Sequence, residues 1–348
     1  MSKNRLKVTA AGGAAISIAD KVIKNIALLG DGFIDIDIKY IDTSRADIDK
    51  IEHDPKDFWL VESEDFASAE IMGSGAERKT NVKPIMANTK KFLDENGFHK
   101  RVPTEYHLVV ASASGGSGNI IQTMLVKHLL ERDIPVIVLL IGDSSNALSA
   151  INTLNTIAGL NNVATKHNKP LSVMYVNNHD FSDDTKLSGV ENANKAIFNT
   201  LSVLALFLSG DNESLDNQDM INIIDQSNYS TIQVEPGLYS LTTYAGDVVL
   251  PQGVIPTVAR TLVIDGVSPD INLQLLHHKS GLVTSDNVKD IFKQQFPLHL
   301  VSSANFFTLE EVNLKTITDE YYSIMNNIKV NKITGTSESS DDDSGLVF

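Results

Sequence analysis

Apolar positions along the chain follow two alternating periods. Residues 5–11 (RLKVTAA), 105–113 (EYHLVVASA), 135–142 (PVIVLLIG) and 171–178 (LSVMYVNN) are apolar runs of strand length. Residues 33–43 (FIDIDIKYIDT) alternate apolar and polar, as a half-exposed strand does. Between these runs lie segments with helical spacing. The first covers 15–29, with Ile16, Ile18, Ala19, Val22, Ile23 and Ile26 on one face; the others are the later part of 80–97, then 119–133 and 146–160. This rhythm predicts an α/β fold with a Rossmann-like parallel sheet covered on both faces. Residues 45–83 are polar and irregular.

Residues 189–210 are apolar nearly all round, which predicts a long central helix buried between domains and stopped by Gly210. Beyond it, shorter strands mix with helical segments. The expected organisation is a first domain over 1–188, the central helix over 189–210, a loop and helix over 211–224, and a second, α+β domain over 225–333. Residues 334–348 are small, polar and acidic, and are expected to be a disordered tail.

The chain has 348 residues, 42% hydrophobic and 21% charged, which leaves room for two domains with ample core. No segment reaches the ~18 unbroken apolar residues of a membrane span, and residues 1–13 lack a signal-peptide core. A cytoplasmic protein with no membrane partner is expected. The absence of cysteine excludes disulfides, thiolate metal sites and cysteine nucleophiles. Nine histidines include no metal-binding spacing, so no histidine metal site is expected. A net charge of −15 disfavours direct nucleic-acid binding by the folded body and leaves contact through a basic partner open.

In open α/β sheets, ligands sit beyond the carboxyl ends of the strands. After the first strand, Gly12, Gly13 and Ala14 open a helix and permit close approach of a phosphate; they also suit a plain tight turn. After the second, Asp42 is placed either for a ribose hydroxyl or magnesium-bound water, or for a helix cap. Gly73, Ser74 and Gly75, with Arg78, miss the Walker pattern, because Arg78 stands where its second glycine belongs; a phosphate contact or a surface loop remains. The strongest signal is Ser114, Gly115, Gly116, Ser117, Gly118 and Asn119, between a buried strand and an amphipathic helix. So many small residues at a helix N-terminus make an anion-binding nest.

That loop resembles the glycine-rich GGGTG[ST]G signature of the tubulin/FtsZ superfamily, with Ser114, Ser117 and Ile120 as departures that look more like its bacteriophage and plasmid branch (TubZ/PhuZ-like). The resemblance implies a tubulin-like fold and GTP or GDP bound with Mg2+, the metal held mainly by nucleotide and water. It implies that Asn194 (or Asn192) early in the central helix, and Asn177 or Asn178 at a strand end, read the guanine. It further implies that Asp216 and Asp219, in SLDNQDMINII, reach the nucleotide of the next subunit as catalytic residues. The function it implies is a GTPase that polymerises head to tail into cytomotive filaments. These would segregate plasmid or phage DNA through a DNA-bound adaptor, or position phage DNA or a phage compartment in a bacterial host's cytoplasm. A different class stays open: a Rossmann-like dinucleotide-dependent enzyme using Gly12, Gly13 and Asp42, although G-x-G-x-x-G is absent.

Overall fold

The computed structural model describes residues 3–62, 82–181, 189–230, 233–315, 318–319 and 322–323. Gly73, Ser74, Gly75, Arg78 and the acidic tail lie outside these residues. The alternating half of the sequence forms β1 (Arg5–Ala11), β2 (Asp35–Asp42), β3 (Phe58–Leu60), β4 (Glu105–Ser112), β5 (Val136–Gly142) and β6 (Pro170–Asn177). All pair in parallel, in the order β3-β2-β1-β4-β5-β6. The short β3 lies in the stretch that reads as irregular, because three residues are too few to show a period.

Helix α1 follows β1 as segments Gly13–Ile18 and Lys24–Ala27 joined by a π-helical turn, Ala19–Ile23. Next come α2 (Val82–Glu95), α3 (Ser117–Glu131), α4 (Ala147–Lys166), α5 (Gly189–Ser209) and α6 (Asn217–Ile224). Alternation along β4 decides which helices cover which face. Leu108 and Val110 join the core formed with α1 and α5, while Val109 and Ala111 join the one formed with α3 and α4. Helix α5 differs from its expected all-round burial. Its second half, Leu201–Leu208, is buried on every side, but Glu191, Lys195 and Asn199 keep one face of the first half in water.

The remaining strands, β7 (Gly237–Ala245), β8 (Ile255–Val263), β9 (His277–Leu282) and β10 (Leu298–Ala304), extend the same sheet rather than forming a separate one. β7 pairs with β6 in parallel, and β10 lies antiparallel between β7 and β8. Ten strands thus run unbroken from β3 to β9, across the boundary expected near residue 225. Among the described residues, no helix is long and apolar enough to cross a membrane.

Candidate functional site

The C-terminal ends of β1, β2 and β4 converge. Gly12 sits at φ 82°, and its amide donates to Ile41 O at 2.9 Å. A Cβ on Gly12 would lie 2.8 Å from Gly118 Cα, and one on Gly118 would lie 2.6 Å from Ala11 O. The two turns therefore meet backbone to backbone, and only glycine allows that spacing. The buried Asp42 accepts from the Thr43 amide at 2.7 Å and from the Ser117 hydroxyl at 3.1 Å, tying β2 to the head of α3. Burial pushes the Asp42 carboxyl above its ordinary range, and these two donors only partly oppose it.

Helix α3 begins at Ser117, two residues before the periodicity shows it, because Gly116 serves as its N-cap. The scaffold takes up the carbonyls of the preceding turn. Thr156 donates to Ala113 O at 2.7 Å, Asn152 to Ser114 O at 3.3 Å, and Asn119 to Gly115 O at 2.7 Å. In a planar trans peptide the N–H points opposite to the C=O, so the Ser114 and Gly116 amides face away from that scaffold. With no acidic residue in the first turn of α3, the end of the helix keeps its positive potential. This is an anion-binding arrangement. Within it, the Asn119 side chain is turned inward and buried, so it shapes the turn rather than lining its open side.

Sequence reading missed Asp47. Its carboxylate lies 1.9 Å from where a Gly13 Cβ would be, so Gly13 leaves room for an acid beside the β1 turn. Nothing local in the sequence marks it, because its position depends on how the 43–57 segment folds back.

At the end of β6, Asn177 donates to Ser144 Oγ at 2.9 Å and to Asp180 Oδ1 at 3.1 Å. These residues line a cavity of about 510 Å³ together with Tyr175, Thr200 and Glu310. Burial, with Asp180 adding to it, raises the Glu310 carboxyl to about 7, while a hydrogen bond from Asn313 opposes the shift. Asn194 is half-buried on α5 and does not line this cavity.

Asp216 and Asp219 are nowhere near these turns. They form a reciprocal capping box on α6: the Asp219 amide donates to Asp216 Oδ1 at 2.8 Å, and the Asp216 amide to Asp219 Oδ2 at 3.0 Å. The next residue, Asn217, is bonded to Asn4 at 2.8 Å and to the Tyr106 hydroxyl at 3.3 Å, residues at the N-terminal ends of β1 and β4. β1 has 7 residues, so at ~3.3 Å rise each the acidic loop and Gly12 stand about 20 Å apart at opposite ends of the same strands.

The last strands hold this loop in place. Lys279 on β9 pairs with Asp219, and Arg260 on β8, fully buried, donates to Asp219 O at 3.1 and 3.2 Å. Burial acts to raise the Asp219 carboxyl, but Lys279, the Asp216 amide and Arg260 together hold it below the usual carboxylate range. Arg260 also donates to Ala259 O, to the Tyr229 hydroxyl and to His277 Nδ1, whose imidazole is pushed below its ordinary range first by burial and then by the adjacent guanidinium. A single arginine inside the apolar strand IPTVARTLV was the only sequence signal for this support. Arg260→Met leaves buried acceptors unpaired at about 1–3 kcal/mol each, so at least ~2 kcal/mol of stability is expected to be lost. Denaturant midpoints at constant slope measure it, and an unchanged midpoint refutes the role.

No protein-family model matches the chain, and no curated protein matches it. Solved structures do. The filament of PhuZ201 is 17% identical at a TM-score of 0.71, covering 97% of this chain and 96% of its own. The TubZ protofilament from bacteriophage PhiKZ is 20% identical at 0.70, covering 99% of each chain. The GDP complex of the phage tubulin PhuZ is 18% identical at 0.71, covering 98% and 97%. At such identities the likeness is one of fold, and it holds over nearly the whole length: the chain has the tubulin/FtsZ-type fold, in the form seen in phage tubulins.

Proposed function

We propose that the chain binds GTP over the β1, β2 and β4 turns, polymerises head to tail, and hydrolyses GTP at the junction between subunits. The observation that carries this is the separation of the two halves of the site. The anion-binding turns and the Asp216–Asp219 loop occupy opposite ends of the same strands, so a complete site requires a second copy stacked along the strand direction. The neighbours solved as filaments, and the one solved with GDP, support the same reading.

In this reading the Ser114–Gly118 turn and Gly12–Gly13 receive the phosphates, with Asn177, and Asn194 from α5, toward the base. Gly73, Ser74, Gly75 and Arg78 are proposed to complete the phosphate site. Asp42 and Asp47 flank the turns, Asp42 accepts from the Ser117 hydroxyl, and these oxygens would hold, through water, a magnesium ion that enters with the nucleotide. Magnesium, when bound, neutralises phosphate charge. The carboxylates of Asp216 and Asp219, from the next copy, orient a water for in-line attack. The water oxygen bonds to the γ-phosphorus as the bond to the β–γ bridging oxygen breaks. Its electron pair leaves with GDP, and one water proton passes to a carboxylate and then to solvent. The ionised state of Asp219 is what that orienting role needs.

The filaments are proposed to move or position phage or plasmid DNA through a basic, DNA-bound adaptor, since the net charge of −15 opposes direct contact. High-speed pelleting with magnesium and GTP, GDP or a slowly hydrolysed GTP analogue tests the core of the reading. Sedimentation with GTP and the analogue but not GDP is expected. No pellet over a wide concentration range, together with no GTP binding, returns the chain to the dinucleotide alternative.

A further inference from the structure

We propose that Arg101 is a further catalytic residue of this reaction, supplied to the nucleotide of the neighbouring copy: its guanidinium meets the terminal phosphate and stabilises the charge that develops as the bond to GDP breaks. The inference rests on the head-to-tail reading above and adds to it a residue that the acidic loop does not contain.

Three observations converge on Arg101. The first is its place along β4. That strand carries the Ser114–Gly118 turn at its C-terminal end, and Arg101 lies four residues ahead of its N-terminal end. A copy translated along the strand direction therefore brings Arg101 beneath its neighbour's glycine turn. The same translation brings Asp216 there, because Asn217 is anchored to Asn4, just ahead of β1, and to Tyr106, at the N-terminal end of β4.

The second is its attachment. Arg101 Nη2 donates to Gln218 Oε1 at 3.0 Å, and Gln218 lies in the first turn of α6, between the two aspartates of the capping box. The guanidinium is thus fixed to the acidic loop and arrives with it. That bond uses one of five guanidinium donors, which leaves a fork suited to two phosphate oxygens.

The third is charge. Asp216 and Asp219 brought against a triphosphate repel it unless a cation comes with them. Lys3, Lys7 and Lys279 on this side of the molecule are paired with Asp35, Glu105 and Asp219, and Arg5 and Lys100, which form no ion pair among the described residues, are not bonded to the acidic loop. Arg101 bonds a neutral amide instead, and among the described residues it forms no ion pair. It takes no proton in the step, so the balance of the reaction is unchanged. It acts only on the charge spread over the γ-phosphate oxygens.

Full-length Arg101→Gln and Arg101→Lys are compared with the unaltered chain in three measurements: pelleting with magnesium and the slowly hydrolysed analogue, phosphate release per pelleted subunit with GTP, and polymer stability with GDP plus aluminium fluoride, which mimics the γ-phosphoryl group in transit. Assembly with the analogue is expected to persist in both variants. Phosphate release is expected to fall at least ~100-fold in Arg101→Gln, below the range typical of an arginine acting across an interface, and less in Arg101→Lys, which keeps the charge and loses the fork. The aluminium fluoride polymer is expected to be lost in Arg101→Gln. Normal phosphate release per polymerised Arg101→Gln subunit overturns the proposal, as does a defect confined to assembly. If the unaltered chain fails to polymerise with GTP at all, it is the head-to-tail reading that falls.

Discussion

Gly118→Val is expected to abolish detectable GTP binding, with a loss of at least roughly 100-fold in affinity, or about 2.7 kcal/mol. The reason is local and steric. Even a methyl group at residue 118 would lie 2.6 Å from Ala11 O and 3.4 Å from Gly12 Cα, and none of these atoms belongs to a flexible side chain. Relief requires the β1 turn and the head of α3 to separate. That breaks the contact holding Gly12 against the Ser114–Gly118 turn and pulls Ser117 from Asp42. Both anion-binding segments lose their mutual position together. The clash falls on backbone atoms at one edge of the core on the α3 face, so the circular dichroism spectrum is expected to stay folded. Titration with a fluorescent GTP analogue reads the affinity, and an unchanged dissociation constant refutes the assignment.

The second large effect is on turnover alone. Asp216→Asn and Asp219→Asn are each expected to slow hydrolysis by about 10²–10³, the usual cost of removing one preorganised electrostatic contact from a site. GTP affinity is expected to stay within about twofold, since both carboxylates stand about 20 Å from the chain's own phosphate turns. Polymer should persist after GTP addition instead of turning over. Asparagine is the informative replacement. At residue 216 it still caps a helix about as well as aspartate, whereas alanine removes the cap at a cost of ~1 kcal/mol and confuses a catalytic defect with a folding one. At residue 219 it also removes the partner of Lys279, so a comparison of the two variants separates the water-orienting role from the support of the loop. Phosphate release per pelleted subunit is the measurement, and normal rates in both variants take these residues out of the mechanism.

Apart from the three-residue β3, the strands and helices of the first half were legible in the sequence because each buries a face, and burial leaves a period. The anion-binding turn was legible for a related reason: small residues cluster in consecutive positions from Ser114 to Gly118, and at Gly118 two backbones touch. Asp216 and Asp219 also stood out, three apart ahead of an apolar run, but their spacing fits a cap as well as a catalytic pair. The structure shows the cap, formed through reciprocal bonds to backbone amides.

Other features have no local trace. Asp47 comes beside Gly13, and Glu310 joins Asn177 around one cavity, by contacts between residues far apart in the chain. The ten-stranded continuity of the sheet is of the same kind. β7 pairs with β6 across the intervening α5 and α6, and strand pairing is set by register between partners rather than by either strand's own pattern. The sequence by itself determined the alternating elements, the glycine turn at the head of α3 and the acidic pair ahead of α6, since each is fixed by neighbours within a few residues. Only the tertiary structure decided that the turn and the pair lie at opposite ends of the same strands, because the direction in which β1 and β4 run past Asn217 is a property of the packed sheet.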